Sequence, residues 1–128
     1  MKMSQFLATS ALVLLIACNE EEPGPVVMTL GSGPSAIDIA ANQLKGLSIQ
    51  ADGLSTALAF RMNSDHAQAF SELTRDNIGS LISIAICGEV VSEPMVMEQI
   101  SGGSALITGY SVSELEVFLK KLDGSEPC

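Results

Sequence analysis

Hydrophobic positions change their period along this chain, and each change marks an element. Phe6 to Ala17 is an apolar run of 12 residues without a charge, preceded by Lys2 and closed by Leu15, Ile16, Ala17 and Cys18. At about 1.5 Å of rise per helical residue it falls short of a hydrocarbon core about 30 Å thick, so it predicts an export signal over residues 1–17 rather than a span. Residues 18–42 then lose any period. Asn19, Glu20, Glu21, Glu22, Pro23, Gly24 and Pro25 have nothing to bury, Val26 to Leu30 is long enough only for a short strand, and Gly31, Ser32, Gly33 and Pro34 follow at once. The stretch reads as an acidic, Gly/Pro-rich tether.

From about Gln43 the pattern becomes regular. Leu47 and Ile49, then Asp52 and Gly53, then Leu58, Phe60 and Met62 predict two alternating strands around a turn. Asp65 with Gln68 has the spacing of a capping box, and Ala67, Phe70 and Leu73 continue at helical spacing until Gly79 stops them. Leu81 to Ile86 predicts a buried strand with Ile82, Ile84 and Ile86 on one face, and Cys87 and Gly88 turn the chain. Val90 and Val91 open another extended piece, which Pro94 restricts to an edge and Met95 to Met97 continue. Gly102 and Gly103 precede a strand from Ala105 to Thr108. Ser111 with Glu114 then caps a last helix, whose stripe is Val112, Leu115, Phe118, Leu119 and Leu122, with Lys120 and Lys121 at its C-terminal end. The order predicts an α+β fold, a small mostly antiparallel sheet with two helices packed on one face. The predicted domain runs over residues 43–123 and leaves a tail at 124–128.

Charge narrows the partners. The chain has 6 basic and 15 acidic side chains; once Lys2 leaves with the signal, 5 remain against 15, a formal charge of −10. That balance argues against nucleic acid and against a polybasic hold on anionic lipid. The residues Leu15 to Cys18 resemble a bacterial lipobox, in which small residues precede a cysteine that takes a diacylglycerol thioether before cleavage. By that resemblance Cys18 is the lipidation site, and its acyl chains, at roughly 0.8 kcal/mol per buried CH₂, are the attachment to the membrane. Asn19 stands where an aspartate would be the inner-membrane retention mark, which favours the outer membrane, facing the periplasm.

Chemistry beyond the anchor is sparse. His66 is the one histidine, set in the first turn of a predicted helix and read as solvent-facing. No nucleophile elbow accompanies it, so neither a metal site nor catalysis is expected, and no cofactor. Glu89, Glu93 and Glu98 match no calcium loop and read as a solvated strand face. Cys87 and Cys128 are the thiols left after Cys18 is acylated; they either pair, in a compartment that oxidises thiols, or stay free. Met95 and Met97 fall on one face of an extended segment. Core packing is the first reading, and a surface that accepts varied apolar sequences is the second.

Three blocks of this chain carry a family likeness. Phe70, Leu73, Thr74, Asn77, Ile78 and Gly79 form one. Ile84 to Val91 with Pro94 form another, and Ile100 to Gly109 the third. In this order, over roughly Gln43 to Leu122, the chain resembles the periplasmic head domain of the SecD subunit of the bacterial protein-export machinery. Cys87 stands where that family usually has an aspartate, and Glu93 where it has a small residue. No stretch after Cys18 approaches the roughly 20 apolar residues of a membrane helix, so the family's proton-coupled bundle has no counterpart here. Joined to the lipobox, the resemblance implies a non-enzymatic, lipid-anchored module whose partners are exported polypeptide or components of the export or envelope machinery. The contact is expected near Glu93, Met95, Met97 and Tyr110. A structural or envelope-maintenance lipoprotein without an export role is the alternative.

Overall fold

The computed structural model describes residues 24–128. The signal segment, Cys18 and the acidic start of the tether lie outside the described residues. Two antiparallel sheets share one core. The first contains β1 (Val26–Leu30), β2 (Ile37–Ala40), β5 (Ile84–Ile86) and β6 (Glu89–Ser92) in the order β2-β1-β5-β6; the second contains β3 (Leu44–Ala51), β4 (Thr56–Met62) and β7 (Ser104–Thr108) in the order β3-β4-β7. Helices α1 (Ser64–Asp76) and α2 (Val112–Leu122) complete the α+β fold. α2 packs on β3 and β4 of one sheet and on β1 and β5 of the other, and α1 bridges β2 and β4. Met28, Leu30, Ile39, Leu58, Ile107, Leu115 and Leu122 are fully buried in the core between them.

The segment expected as tether is largely part of the fold. β1 is the inner strand that joins β2 to β5, with Met28 opposite Ile39 on one side and Ile86 on the other. The reason is burial: Val27, Met28, Leu30, Ile37 and Ile39 offer apolar side chains to a sheet that would otherwise have only β5 and β6. Gly31 closes the turn in a conformation only glycine takes readily (φ 81°), where a Cβ would stand 3.2 Å from a Leu73 methyl. The single expected sheet also divides. A 3-10 turn at Ala41–Gln43, tied by Gln43 accepting from the Ala40 N–H at 2.8 Å, swings the chain from β2 into the second sheet.

The β3–β4 hairpin forms around Asp52 and Gly53 as the sequence predicts. The Asp52 carboxylate accepts from the N–H groups of Leu54 and Ser55 at 3.0 and 2.9 Å, and the Leu54 bond is the main cause that holds its pKa below the ordinary value. Helix α1 starts earlier than the Asp65/Gln68 spacing suggests: Asn63 is its N-cap, accepting from the His66 N–H at 2.9 Å. It also ends earlier, at Asp76, where the Asn77 side chain donates to the Leu73 carbonyl at 2.8 Å. Gly79 lies beyond that end and serves the next turn. α2 keeps its predicted cap, with Ser111 and Glu114 bonded reciprocally at 3.1 and 3.2 Å. Gly103 is the most closely approached of the described glycines, because a Cβ there would be 2.7 Å from Ala67 Cβ. Absence of a side chain lets β7 enter directly beneath the first turn of α1.

Register fixes which side chains leave the second sheet outward. Lys45, Arg61 and Ser104 form one row across its three strands, Ser48, Ala59 and Leu106 the next, and Gln50, Ala57 and Thr108 the third. Leu58, Phe60, Met62 and Ile107 alternate with them toward the core.

A candidate apolar groove beneath residues 94–100

The chain from Pro94 to Ile100 is a strap across the second half of α1, neither free edge nor buried strand. Its first part is pinned to the segment after α1: Gly79 N–H donates to Val96 O at 2.8 Å, Val96 N–H to Ser80 O at 2.9 Å, and Ile82 N–H to Pro94 O at 2.9 Å. Its far end is pinned to α1 itself. The Ile100 N–H donates to the Thr74 hydroxyl at 2.9 Å and Gln99 donates to the Ser71 hydroxyl at 2.8 Å. Thr74 is completely buried and in turn donates within reach of the Phe70 and Ser71 carbonyls, at 2.9 and 3.0 Å.

Between strap and helix lies a half-open groove of about 470 Å³, floored by Phe70, Thr74, Ile82 and Ile84 and walled by the strap residues. Alternation decides what each strap side chain does. Val96 points inward and is 5% exposed, whereas Met95 and Met97 are 54% and 77% exposed. The expectation that these methionines pack in the core is therefore corrected: the inward position between them belongs to Val96, which leaves both exposed along the rim of the groove. Glu93 is exposed just before Pro94, and Glu98 belongs to the groove wall.

The remaining expected residues fall elsewhere. Tyr110 is half-buried; its hydroxyl donates to the Val91 carbonyl at 2.6 Å and its ring meets Phe118 edge-on at 4.9 Å. These bonds tie the loop before α2 to β6, and the methionines do not contribute to them. Cys87 and Cys128 are joined by a disulfide, with Cα atoms 5.4 Å apart, so the tail is fastened to the β5–β6 turn. His66 is partly buried rather than solvent-facing, its Nε2 3.3 Å from the Asp38 carbonyl, because α1 leans on β2. Glu89, Glu93 and Glu98 are all exposed, and among the described residues no three side chains of metal-ligating type come together. No helix among the described residues is long and apolar enough to cross a membrane.

The family model of the SecDF P1 head subdomain matches residues 34–121. The chain belongs to the SecDF P1 head subdomain family. SecD of Leptotrichia buccalis is 34% identical over 83 residues, 64% of this chain and 20% of that protein. SecD of Rhodobacter capsulatus is 39% identical over 64 residues, covering 49% and 12%. SecDF of Thermus thermophilus is 40% identical over 63 residues, covering 48% and 9%. This P1 head chain thus spans about a fifth or less of the protein translocase subunits it matches. Among solved structures, a membrane component SecDF that enhances protein export superposes with a TM-score of 0.61 at 26% identity, covering 72% of this chain and 41% of that one. SecDF in its super-membrane-facing form gives 0.59 at 28% identity, covering 66% and 12%. The P1 head match takes in β2, the strap and α2 together, whereas β1 precedes it.

Proposed function

We propose that this chain is a lipid-anchored P1-head module of the cell envelope, which holds an apolar segment of an exported polypeptide, or of an export component, in the groove beneath residues 94–100. The observation that carries the reading is the pair Met95 and Met97, exposed on the rim of an apolar groove in a domain of a protein-export family. An exposed apolar patch continuous with an apolar groove marks a contact surface, and methionine adapts to partners of varied shape. The groove volume lies within the roughly 300–1,000 Å³ of ordinary ligand sites. Glu98 in its wall and Glu93 beside it favour segments that carry basic residues. Cys18, lipidated on its thiol before residues 1–17 are removed, is the attachment to the membrane, and Asn19 after it favours the outer membrane facing the periplasm. The reading assigns the domain no catalysis.

In-cell photo-crosslinking tests this. A photoreactive residue in place of Met97 is expected to give adducts with exported proteins or export components, and one in place of Leu54, 96% exposed at the far β3–β4 turn, is not. With Cys18→Ala, the adducts move out of the membrane fraction. Equal adduct patterns at both positions, or none at Met97 at native expression, would favour a structural envelope lipoprotein with no export role.

A further inference from the structure

The outward face of the β3-β4-β7 sheet is uncovered, and its chemistry is arranged with opposite ends of opposite sign. At one end Lys45 and Arg61 are direct cross-strand partners, both exposed. Like charges placed directly opposite one another are mutually repulsive. Among the described residues neither is within salt-bridge distance of a carboxylate; the ion pair found there joins Arg75 and Asp76. At the other end is Asp52, whose carboxylate is already oriented by the Leu54 and Ser55 N–H groups and remains exposed. Between the ends, a shallow trough runs over Ala59 and Ala57, and Leu106 borders it along both halves. Leu106 is 54% exposed in the middle of this polar face.

We infer that this face is a self-complementary interface, which a second copy of the same chain covers by stacking sheet on sheet. A two-fold axis lying across the strands, between the Leu106 and Thr108 rows, reverses strand direction in the partner. That operation sets the Lys45–Arg61 row of each copy over the Asp52 turn of the other, and it sets each Leu106 over the Thr108 of its partner, with the two Leu106 side chains adjacent along β7. Small residues in the central strand are what permit the approach to the roughly 10 Å typical of packed sheets. A parallel stacking would instead oppose four cations, so the charges select the antiparallel arrangement. Three strands about 4.8 Å apart and a length of about 20 Å make a small patch. It is below the roughly 800 Å² per partner of a standard interface, so the association is weak and is favoured where molecules are concentrated on a surface. This interface is distinct from the groove beneath residues 94–100, and it stands whether or not the groove holds polypeptide.

The test uses the whole chain in cells, in two differently tagged copies, with a photoreactive residue in place of Leu106. Adducts containing both tags are expected, and Arg61→Glu or the turn-preserving Asp52→Asn should each reduce their yield at least fivefold. Val117, also exposed but on α2, is the control position and should give no mixed adduct. Protease resistance of each variant establishes that it has folded. Adducts only with other proteins, no adduct, or mixed adducts insensitive to Arg61→Glu would each overturn the inference.

Discussion

Thr74 carries more of the groove than any residue with an obvious chemical role. Its hydroxyl accepts from the Ile100 N–H while lying fully buried on the apolar side of α1. Thr74→Val keeps the shape of the side chain and removes the acceptor, which leaves a backbone donor without its partner. The expected cost is about 1–3 kcal/mol, read by urea denaturation, together with faster amide exchange at Ile100. No loss of stability would mean that the strap is held from its Ser80–Ile82 end alone. A trace of this role is legible in the sequence, where a threonine follows Leu73 four positions after Phe70, on a stripe that otherwise buries only apolar groups. What it bonds to is not legible, because Ile100 lies 26 residues further on and only the fold brings it there. The same holds for the methionines: alternation places Met95 and Met97 on one face, but which face is buried depends on Val96 meeting α1.

At the scale of elements, patterning located both helices and the β3–β4 hairpin, and it misplaced the boundaries of α1. Asn63 and Asp65 are both competent caps, and the capping-box spacing pointed to Asp65 with Gln68. The backbone chose Asn63 because the helix begins as soon as β4 ends at Met62, under the Gly103 contact. The choice is measurable: Asn63→Ala should cost about 1 kcal/mol of stability, while Gln68→Ala should change it by less than about 0.5 kcal/mol. The reverse order would restore the capping-box reading. The first two strands were obscured by composition. Glycine, proline and serine around residues 31–35 look like a linker when β1 and β2 are considered separately, and only their pairing across that turn reveals a hairpin.

Across the whole molecule, a disulfide secures what the small core holds only in part. The Cys87–Cys128 bond spans 41 residues of sequence, a loop that contains β6, the strap, β7 and α2. Cross-linking a loop of that length restricts the unfolded chain by roughly 2–4 kcal/mol. Reduction of the folded protein should therefore lower its denaturation midpoint by that equivalent without abolishing the groove, as followed by denaturant titration with and without reductant. The sequence left this pairing open because nothing local places the tail beside the β5–β6 turn. Two sheets instead of one is likewise a property of the whole: each hairpin is locally ordinary, and the division arises where Ala41–Gln43 redirects the chain.

The central claim is that the Met95–Met97 rim and the groove behind it take an apolar segment of another polypeptide. A nitrogen-15 amide NMR titration of the mature chain with a short leucine-rich peptide bearing two lysines addresses it directly. Saturable shifts concentrated at Phe70 to Thr74 and Pro94 to Ile100 are predicted, diminished in a Met95→Ser, Met97→Ser double variant. Absence of saturable shifts there, or shifts confined to the outward face of β3, β4 and β7, would contradict it.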